Sequence, residues 1–187
     1  MKAIVLCAGL GTRLRPLTFS TAKHLIPVAN KPVLYYGIES LVAVGARRIG
    51  MIVSRETRSI IQNAVDDGQR WGAEVSYIEQ PEPRGLAHAA LCAESFVGGE
   101  PFVMYLGDNL LPEGMTAAVK RFESTGATAV VMLKPVDDPS RFGIAEIDGE
   151  RITRLVEKPK EPRSNLAIVG GYVFGPEIFT SIHRIKP

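Results

Sequence analysis

Cysteine is scarce: Cys7 and Cys92 are the only two in 187 residues. They show no paired spacing, which excludes a disulfide scaffold and reads as free thiols in a reducing cytosol, so a cytoplasmic location is expected. Histidine is scarce too, and His24, His88 and His183 stand at no spacing that would let them share a metal with the cysteines. The net charge is only +2. That is too little to argue for a nucleic-acid partner or an acidic membrane surface, so any positive field must be local. Long hydrophobic runs are missing: no stretch approaches the length of a membrane span. Lys2 is followed by a short apolar run and then a Gly/Arg loop, so neither a signal peptide nor a membrane partner is expected. No internal repeat, linker or low-complexity tract divides the chain, and residues 1–187 read as one domain.

What is present is ordinary globular material, 45% hydrophobic and 22% charged, enough to bury a substantial core. Short apolar runs alternate with longer amphipathic ones. Ala3–Leu6, Arg48–Val53, Val75–Ile78, Phe102–Leu106 and Ala129–Leu133 read as strands, apolar on both sides as buried parallel strands are. Helices are expected over Pro32–Val44, Glu56–Trp71, Gly85–Phe96 and Met115–Ser124. In the first, Leu34, Ile38, Leu41 and Val42 share a face and Pro32 suits the first turn. In the second, Ile60, Ile61, Ala64 and Val65 fall together. The β-α-β-α order implies an α/β fold with an open, mostly parallel, Rossmann-like sheet flanked by helices. After about residue 140 the pattern changes to shorter strands, Ile144–Ile147, Ile152–Glu157 and Ala167–Phe174, which suggests a mixed or antiparallel extension.

The first strand runs into "CAGLGTRLRPLTFSTAKHLIPVANKP", from Cys7 to Pro32. A dinucleotide fingerprint needs a third glycine, but Leu14 stands there, and the Gly-Lys-Ser/Thr ending of a Walker A loop is missing. A strand followed by a Gly-rich loop with Arg13, Arg15 and Lys23 remains. Gly9 and Gly11 would let backbone N–H groups approach an anion, Arg13 offers a planar fork for phosphate oxygens, and Lys23 offers a point charge. A surface turn with solvated cations is the competing reading.

Cys7–Leu14 with Pro16 and Thr18 resembles the signature loop of the sugar-nucleotide pyrophosphorylases, a nucleotidyltransferase family. Ala22–Val28 and Asn30-Lys31-Pro32 continue the likeness. It recurs in order through Gln80-Pro81, Gly85-Leu86-Ala87, Leu106–Asn109, Phe142-Gly143, Glu157-Lys158-Pro159, and Gly170 with Tyr172, so it covers essentially the whole chain. The wording is most similar to the glucose-1-phosphate thymidylyltransferases, with Ala8 where many relatives have glycine. In that family the chain continues past the position of Pro187 with a second metal-binding aspartate and further sugar-pocket and oligomer contacts. The sequence is therefore expected to be short of the family pattern at its C-terminus. Slower turnover than in an extended chain, and self-association, are expected with it.

The resemblance implies a reaction in which dTTP, or UTP, and glucose 1-phosphate give a nucleoside-diphosphate sugar and pyrophosphate, by Mg²⁺-assisted in-line attack on the α-phosphorus, in a homo-oligomer. The attacking phosphate oxygen is already ionised, so the lack of a Ser-His-Asp or Cys-His pattern does not count against catalysis. Arg13 is expected to hold the triphosphate, Lys23 to sit near the α-phosphate and Lys158 to hold the sugar phosphate. Leu6, Ala8, Gly9, Gly11, Thr12, Gln80, Gly85 and Asp108 complete the expected nucleotide site. Gln80 would offer a donor and an acceptor to the base edge, and Asp108 would be the Mg²⁺ ligand at the end of a buried parallel strand. Asn109, Gly143, Glu157 and Tyr172 are expected around the sugar. Ordinary alternatives stay open: Lys23 and Lys158 as solvated lysines, Asp108 as a helix N-cap, Gln80 as a turn residue, Glu157–Lys158 as a surface pair, and Tyr172 as a core aromatic. A non-catalytic nucleotide-binding module is the alternative function.

Overall fold

The computed structural model describes residues 1–19 and 21–185. They fall into two compact units: residues 131–170 form one, and the chain before and after them forms the other.

In the larger unit the chain opens with strand β1 (Lys2–Leu6), which is buried throughout. A Gly-rich loop with short 3-10 turns leads to the two-residue strands β2 (Pro27–Val28) and β3 (Lys31–Pro32). Ala29 and Asn30 close this hairpin with positive φ of 48° and 64°, as a two-residue turn requires. Helix α1 (Val33–Ala43) follows, with Pro32 as the residue just ahead of its first turn rather than inside it. Strand β4 (Arg48–Val53) and helix α2 (Arg55–Val65) come next. Ser54 caps α2 reciprocally: its hydroxyl accepts from the Thr57 N–H at 3.2 Å, while its own N–H donates to Thr57 Oγ1 at 3.0 Å.

Further along lie β5 (Glu74–Glu79), α3 (Leu86–Cys92), α4 (Glu94–Val97), β6 (Phe102–Leu106), α5 (Thr116–Thr125) and β7 (Ala129–Pro135). Two expected helices are shorter than their apolar patterns implied. The helix expected over Glu56–Trp71 stops at Val65, because Asp66 and Gly68 take positive φ of 55° and 86°, and Gln69–Trp71 is a separate 3-10 turn. The helix expected over Gly85–Phe96 starts one residue later and breaks at Ala93.

Strands β8 (Gly143–Asp148), β9 (Arg151–Glu157) and β10 (Leu166–Phe174), then helix α6 (Glu177–Ile182), complete the order. The sheet order in the larger unit is β5-β4-β1-β6-β10. The first four strands are parallel, and Gly171–Phe174 of β10 run antiparallel to β6. The fold is thus α/β with a mostly parallel sheet and an antiparallel extension.

Strand side chains alternate between faces. Ile4, Leu6, Phe102 and Met104 therefore share one face, where they pack with Ala89, Ala90, Ala93 and Val97 of the α3–α4 segment and Phe179 and Ile182 of α6. Phe102 is the centre of this core, stacked on Phe179 at 5.5 Å and tilted against Phe174 at 5.9 Å. Its truncation to alanine would cost about 3–5 kcal/mol. On the other face Gly37 of α1 lies against Tyr105 of β6.

In the smaller unit β8 and β9 form an antiparallel hairpin with a register shift between Glu146 and Ile147. Ile144 of β8 pairs with Ala167 of β10. The Val136 N–H donates to the Asn165 carbonyl at 2.9 Å.

Candidate active site

The parallel strands end in loops that meet at one edge, where open α/β sheets bind their ligands. The Gly107 N–H donates to the Leu6 carbonyl at 3.1 Å, so the loops after β1 and β6 lie side by side. A Cβ on Gly107 would stand 2.6 Å from Cys7 Sγ and 3.1 Å from the Leu6 carbonyl oxygen. Only glycine allows that approach. It is followed at once by Asp108 and Asn109, and the Tyr105 hydroxyl ties this loop down by donating to the Asn109 carbonyl at 2.9 Å.

Lys23 opens a 3-10 turn, Lys23–Leu25, and its Nζ donates to Asp108 Oδ2. Gly9 and Gly11 make room for this lysine. A Cβ on Gly9 would lie 3.0 Å from Lys23 Cε, and one on Gly11 would lie 2.9 Å from Lys23 Cβ. The Thr18 hydroxyl donates to the Gly11 carbonyl at 2.8 Å and closes the loop. The two glycines expected to admit an anion thus also clear the path of the Lys23 stem.

Asp108 accepts from Lys23 at Oδ2 and from Asn109 Nδ2 at Oδ1, at 3.0 Å for the latter. Burial pushes its carboxyl up, but the hydrogen bond and charge of Lys23, helped by His24 and Asn109, hold it below the usual carboxylate range. The helix-cap alternative falls away, because Met115 is the residue that caps α5.

A cavity of about 250 Å³ opens here, and Leu6, Ala8, Gly9, Lys23, Gln80, Gly85 and Asp108 all line it. Gln80 is buried, 7% exposed. Its Nε2 donates to the Gly85 carbonyl at 3.1 Å and lies 3.2 Å from His88 Nδ1. Of the donor and acceptor expected at the base edge, the donor is committed to the protein, which leaves Oε1 as the Gln80 group available to a ligand. Thr12 and Arg13 lie on an exposed 3-10 turn, Thr12–Leu14, and do not line the cavity. Arg15 lies over the Phe19 ring at 5.0 Å.

His24 was not among the expected site residues. It lines the same cavity with 1% exposure, and its Nδ1 has no hydrogen-bond partner among the described residues. Burial, then the charge of Lys23, pushes its pKa down to about 4, so it is neutral at pH 7. Cys7 is buried beside it, and burial drives its thiol pKa up. No spacing signal marked His24; it enters the site only because it follows Lys23.

The smaller unit brings three expected residues together. Gly143 pairs with Glu157 across the β8–β9 hairpin, and a Cβ on Gly143 would stand 3.1 Å from Glu157 Oε2. Lys158 Nζ lies 3.0 Å from Glu157 Oε1. Lys158 has a φ of 42°, a left-handed conformation that costs a non-glycine residue about 1–3 kcal/mol and that clusters at functional sites. Tyr172 packs against the core of the larger unit and stacks on Phe174 at 5.7 Å.

Among the described residues no group of three or more His, Cys, Asp or Glu could hold a metal by itself. The single carboxylate of Asp108 fits Mg²⁺ only together with ligand oxygens, since that ion takes one or two carboxylates and completes its shell with phosphate oxygens and water. No helix among the described residues is long and apolar enough to cross a membrane.

The carboxyl edge of the α/β sheet thus gathers a Gly-rich loop, a cation–carboxylate pair and a buried amide. The chain belongs to the Nucleotidyl transferase family, matched over residues 2–187. It is 49% identical to the low-salt glycan biosynthesis nucleotidyltransferase Agl11 of Haloferax volcanii and 47% identical to a glucose-1-phosphate thymidylyltransferase of Streptomyces antibioticus. All of this chain and 53% of each relative are covered, so the chain spans about half their length. A UTP–glucose-1-phosphate uridylyltransferase of Haloferax volcanii, AglF, is 40% identical over all of this chain and 77% of its own length. Among solved structures, a Bacillus anthracis protein assigned as a glucose-1-phosphate thymidylyltransferase, in complex with a sucrose, superposes with a TM-score of 0.94 at 36% identity. The match covers all of this chain and 76% of that one.

Proposed function

We propose that the chain carries the nucleotide-handling part of an enzyme that transfers a nucleotidyl group from dTTP to glucose 1-phosphate, giving dTDP-glucose and pyrophosphate. The observation that carries this reading is the convergence of Lys23, Asp108 and Gln80 on one cavity at the carboxyl edge of the sheet. A sugar-phosphate oxygen forms a bond to the α-phosphorus as the bond to the β-phosphate oxygen breaks. No proton needs to be removed, so the protein's task is to position and neutralise mutually repelling anions. Lys23 neutralises charge at the α-phosphate and Arg13 steadies the leaving pyrophosphate. Asp108 would hold Mg²⁺, which when bound supplies further neutralisation of phosphate oxygens. Gln80 Oε1 accepts from a ring N–H of the base. Lys158, Glu157 and Gly143 are assigned to the sugar phosphate, a role supported by their clustering and by the left-handed backbone at Lys158.

A reaction with UTP is the second reading. Gln80 does not separate the two, since the N3–H that its oxygen would meet is common to thymine and uracil, and the likeness to the uridylyltransferase favours the second. Pyrophosphate release with glucose 1-phosphate and either dTTP or UTP separates the two. Calorimetric titration is expected to find purine triphosphates bound at least about tenfold more weakly than either pyrimidine. Equal affinity for ATP or GTP would sink both readings, and binding without turnover would leave a nucleotide-binding module.

A further inference from the structure

His88 of α3 touches the side-chain amide of Gln80. The Gly85 carbonyl can only accept, so the Gln80 atom 3.1 Å from it is the amide nitrogen. That carbonyl also accepts the Ala89 N–H at 3.1 Å, so it belongs to the first turn of α3. The second hydrogen of the same NH₂ group reaches His88 Nδ1 at 3.2 Å, which must therefore be unprotonated. In a neutral ring the hydrogen then sits on Nε2, which faces Cys92 Sγ at 3.9 Å, one turn along α3. Turning the Gln80 amide over would set its oxygen against the Gly85 carbonyl oxygen and lose that hydrogen bond; the His88 contact would survive only if the ring hydrogen moved to Nδ1, away from Cys92 Sγ.

We propose that His88 is a positioning residue that holds the Gln80 amide with its oxygen toward the cavity, so that the site takes bases with a ring N–H, thymine and uracil, and rejects cytosine. The proposal rests on the nucleotide reading of the cavity. Uracil and cytosine have nearly the same shape, but uracil presents N3–H and a carbonyl where cytosine presents a bare N3 and an amino group. An acceptor fixed in place meets the uracil donor and opposes the cytosine lone pair. A site built to hydrogen-bond one group rejects the analogue lacking it, because a buried polar atom is left unpaired.

The lock is read first without any ligand. In protein labelled with ¹⁵N-histidine, with the His88 signals identified by their loss in His88→Asn, the ring is expected to carry its hydrogen on Nε2. A hydrogen on Nδ1 would overturn the proposal. Selectivity is then read as the ratio of UTP to CTP affinity. His88→Phe removes the acceptor and leaves Gly85 alone to orient the amide, so the ratio is expected to narrow by about fivefold, the worth of one hydrogen bond. His88→Asn can place its carbonyl oxygen where Nδ1 stood and is expected to restore the ratio, which keeps the test open if His88→Phe does not fold. A ratio unchanged in His88→Phe, or lost equally in His88→Asn, would overturn the positioning role. If the unmodified chain binds neither dTTP nor UTP, the proposed function fails, while the ligand-free tautomer still upholds or overturns the lock.

Discussion

Lys23 Nζ donates to Asp108 Oδ2 across 85 residues of chain. The cation beside the Gly-rich loop and the carboxylate after β6 are direct partners, and both face the cavity. Removing the lysine leaves the Asp108 carboxyl with the burial that pushes it up and without the main group that pulls it down. In Lys23→Met the Asp108 pKa is expected to rise above its value in the unmodified chain, as read by ¹³C carboxyl titration. Turnover with dTTP should fall by about 10²-fold or more, as when one transition-state contact is lost. An unmoved carboxyl would break the link between the pair.

Arg13 and Lys158 are assigned to different anions. Arg13→Ala is expected to weaken triphosphate binding and Lys158→Ala to weaken glucose 1-phosphate binding, each by about 1.5–3 kcal/mol for a lost charge-assisted contact. Titration of each variant with each substrate separately checks this. Sugar-phosphate affinity unchanged in Lys158→Ala but abolished in Arg13→Ala would reverse the assignment.

His24 sets an acid limit on stability. Its folded pKa of about 4 lies below the ordinary histidine value of 6.5, so between these two pH values the unfolded chain binds the extra proton. The stability due to its neutral burial is complete above about pH 6.5 and is lost as pH falls toward about 4, by an amount on the order of 3 kcal/mol. Asp108, held below the usual carboxylate range, adds a loss of the same sign at still lower pH. Urea midpoints at pH 7.5 and 4.5 should draw together in His24→Gln; a variant as acid-sensitive as the parent would show that His24 is not the cause.

Gly37 and Tyr105 set the seat of the loop after β6. A Cβ at position 37 would lie 2.7 Å from Tyr105 Cε1, and overpacking of that kind costs about 1–3 kcal/mol. Tyr105→Phe removes the donor to the Asn109 carbonyl and should cost about 1 kcal/mol. Denaturant midpoints are expected to fall in both variants. An unchanged midpoint in Gly37→Ala would mean that α1 shifts to admit the methyl.

The strands were legible because a buried parallel strand is apolar on both sides. Arg48–Val53 and Phe102–Leu106 were expected over the residues that form β4 and β6. Helix ends were less legible. The pattern of Glu56–Trp71 continues past Val65, but the positive φ at Asp66 and Gly68 stops α2, and a Cβ on Gly68 would stand 2.6 Å from Val75 Cγ2 of the next strand. The hairpin of β2 and β3 went unread, since Ala29 is not a residue that announces a left-handed turn. Helix α6 was missed because Glu177–Ile182 is too short for periodicity to register.

By itself the sequence determined the alternation of elements, the parallel core with its antiparallel extension, and the identity of Lys23, Gln80 and Asp108 as residues to watch, because hydrophobic period and motif wording are local properties of the chain. Only the tertiary structure decided what those residues do to one another. It paired Lys23 with Asp108, buried His24 beside them and turned the Gln80 amide inward against Gly85 and His88. Those contacts depend on loops that adjoin only after the strands have aligned, and on burial that changes the charge state and hydrogen-bond direction of groups whose neighbours in sequence give no sign of either.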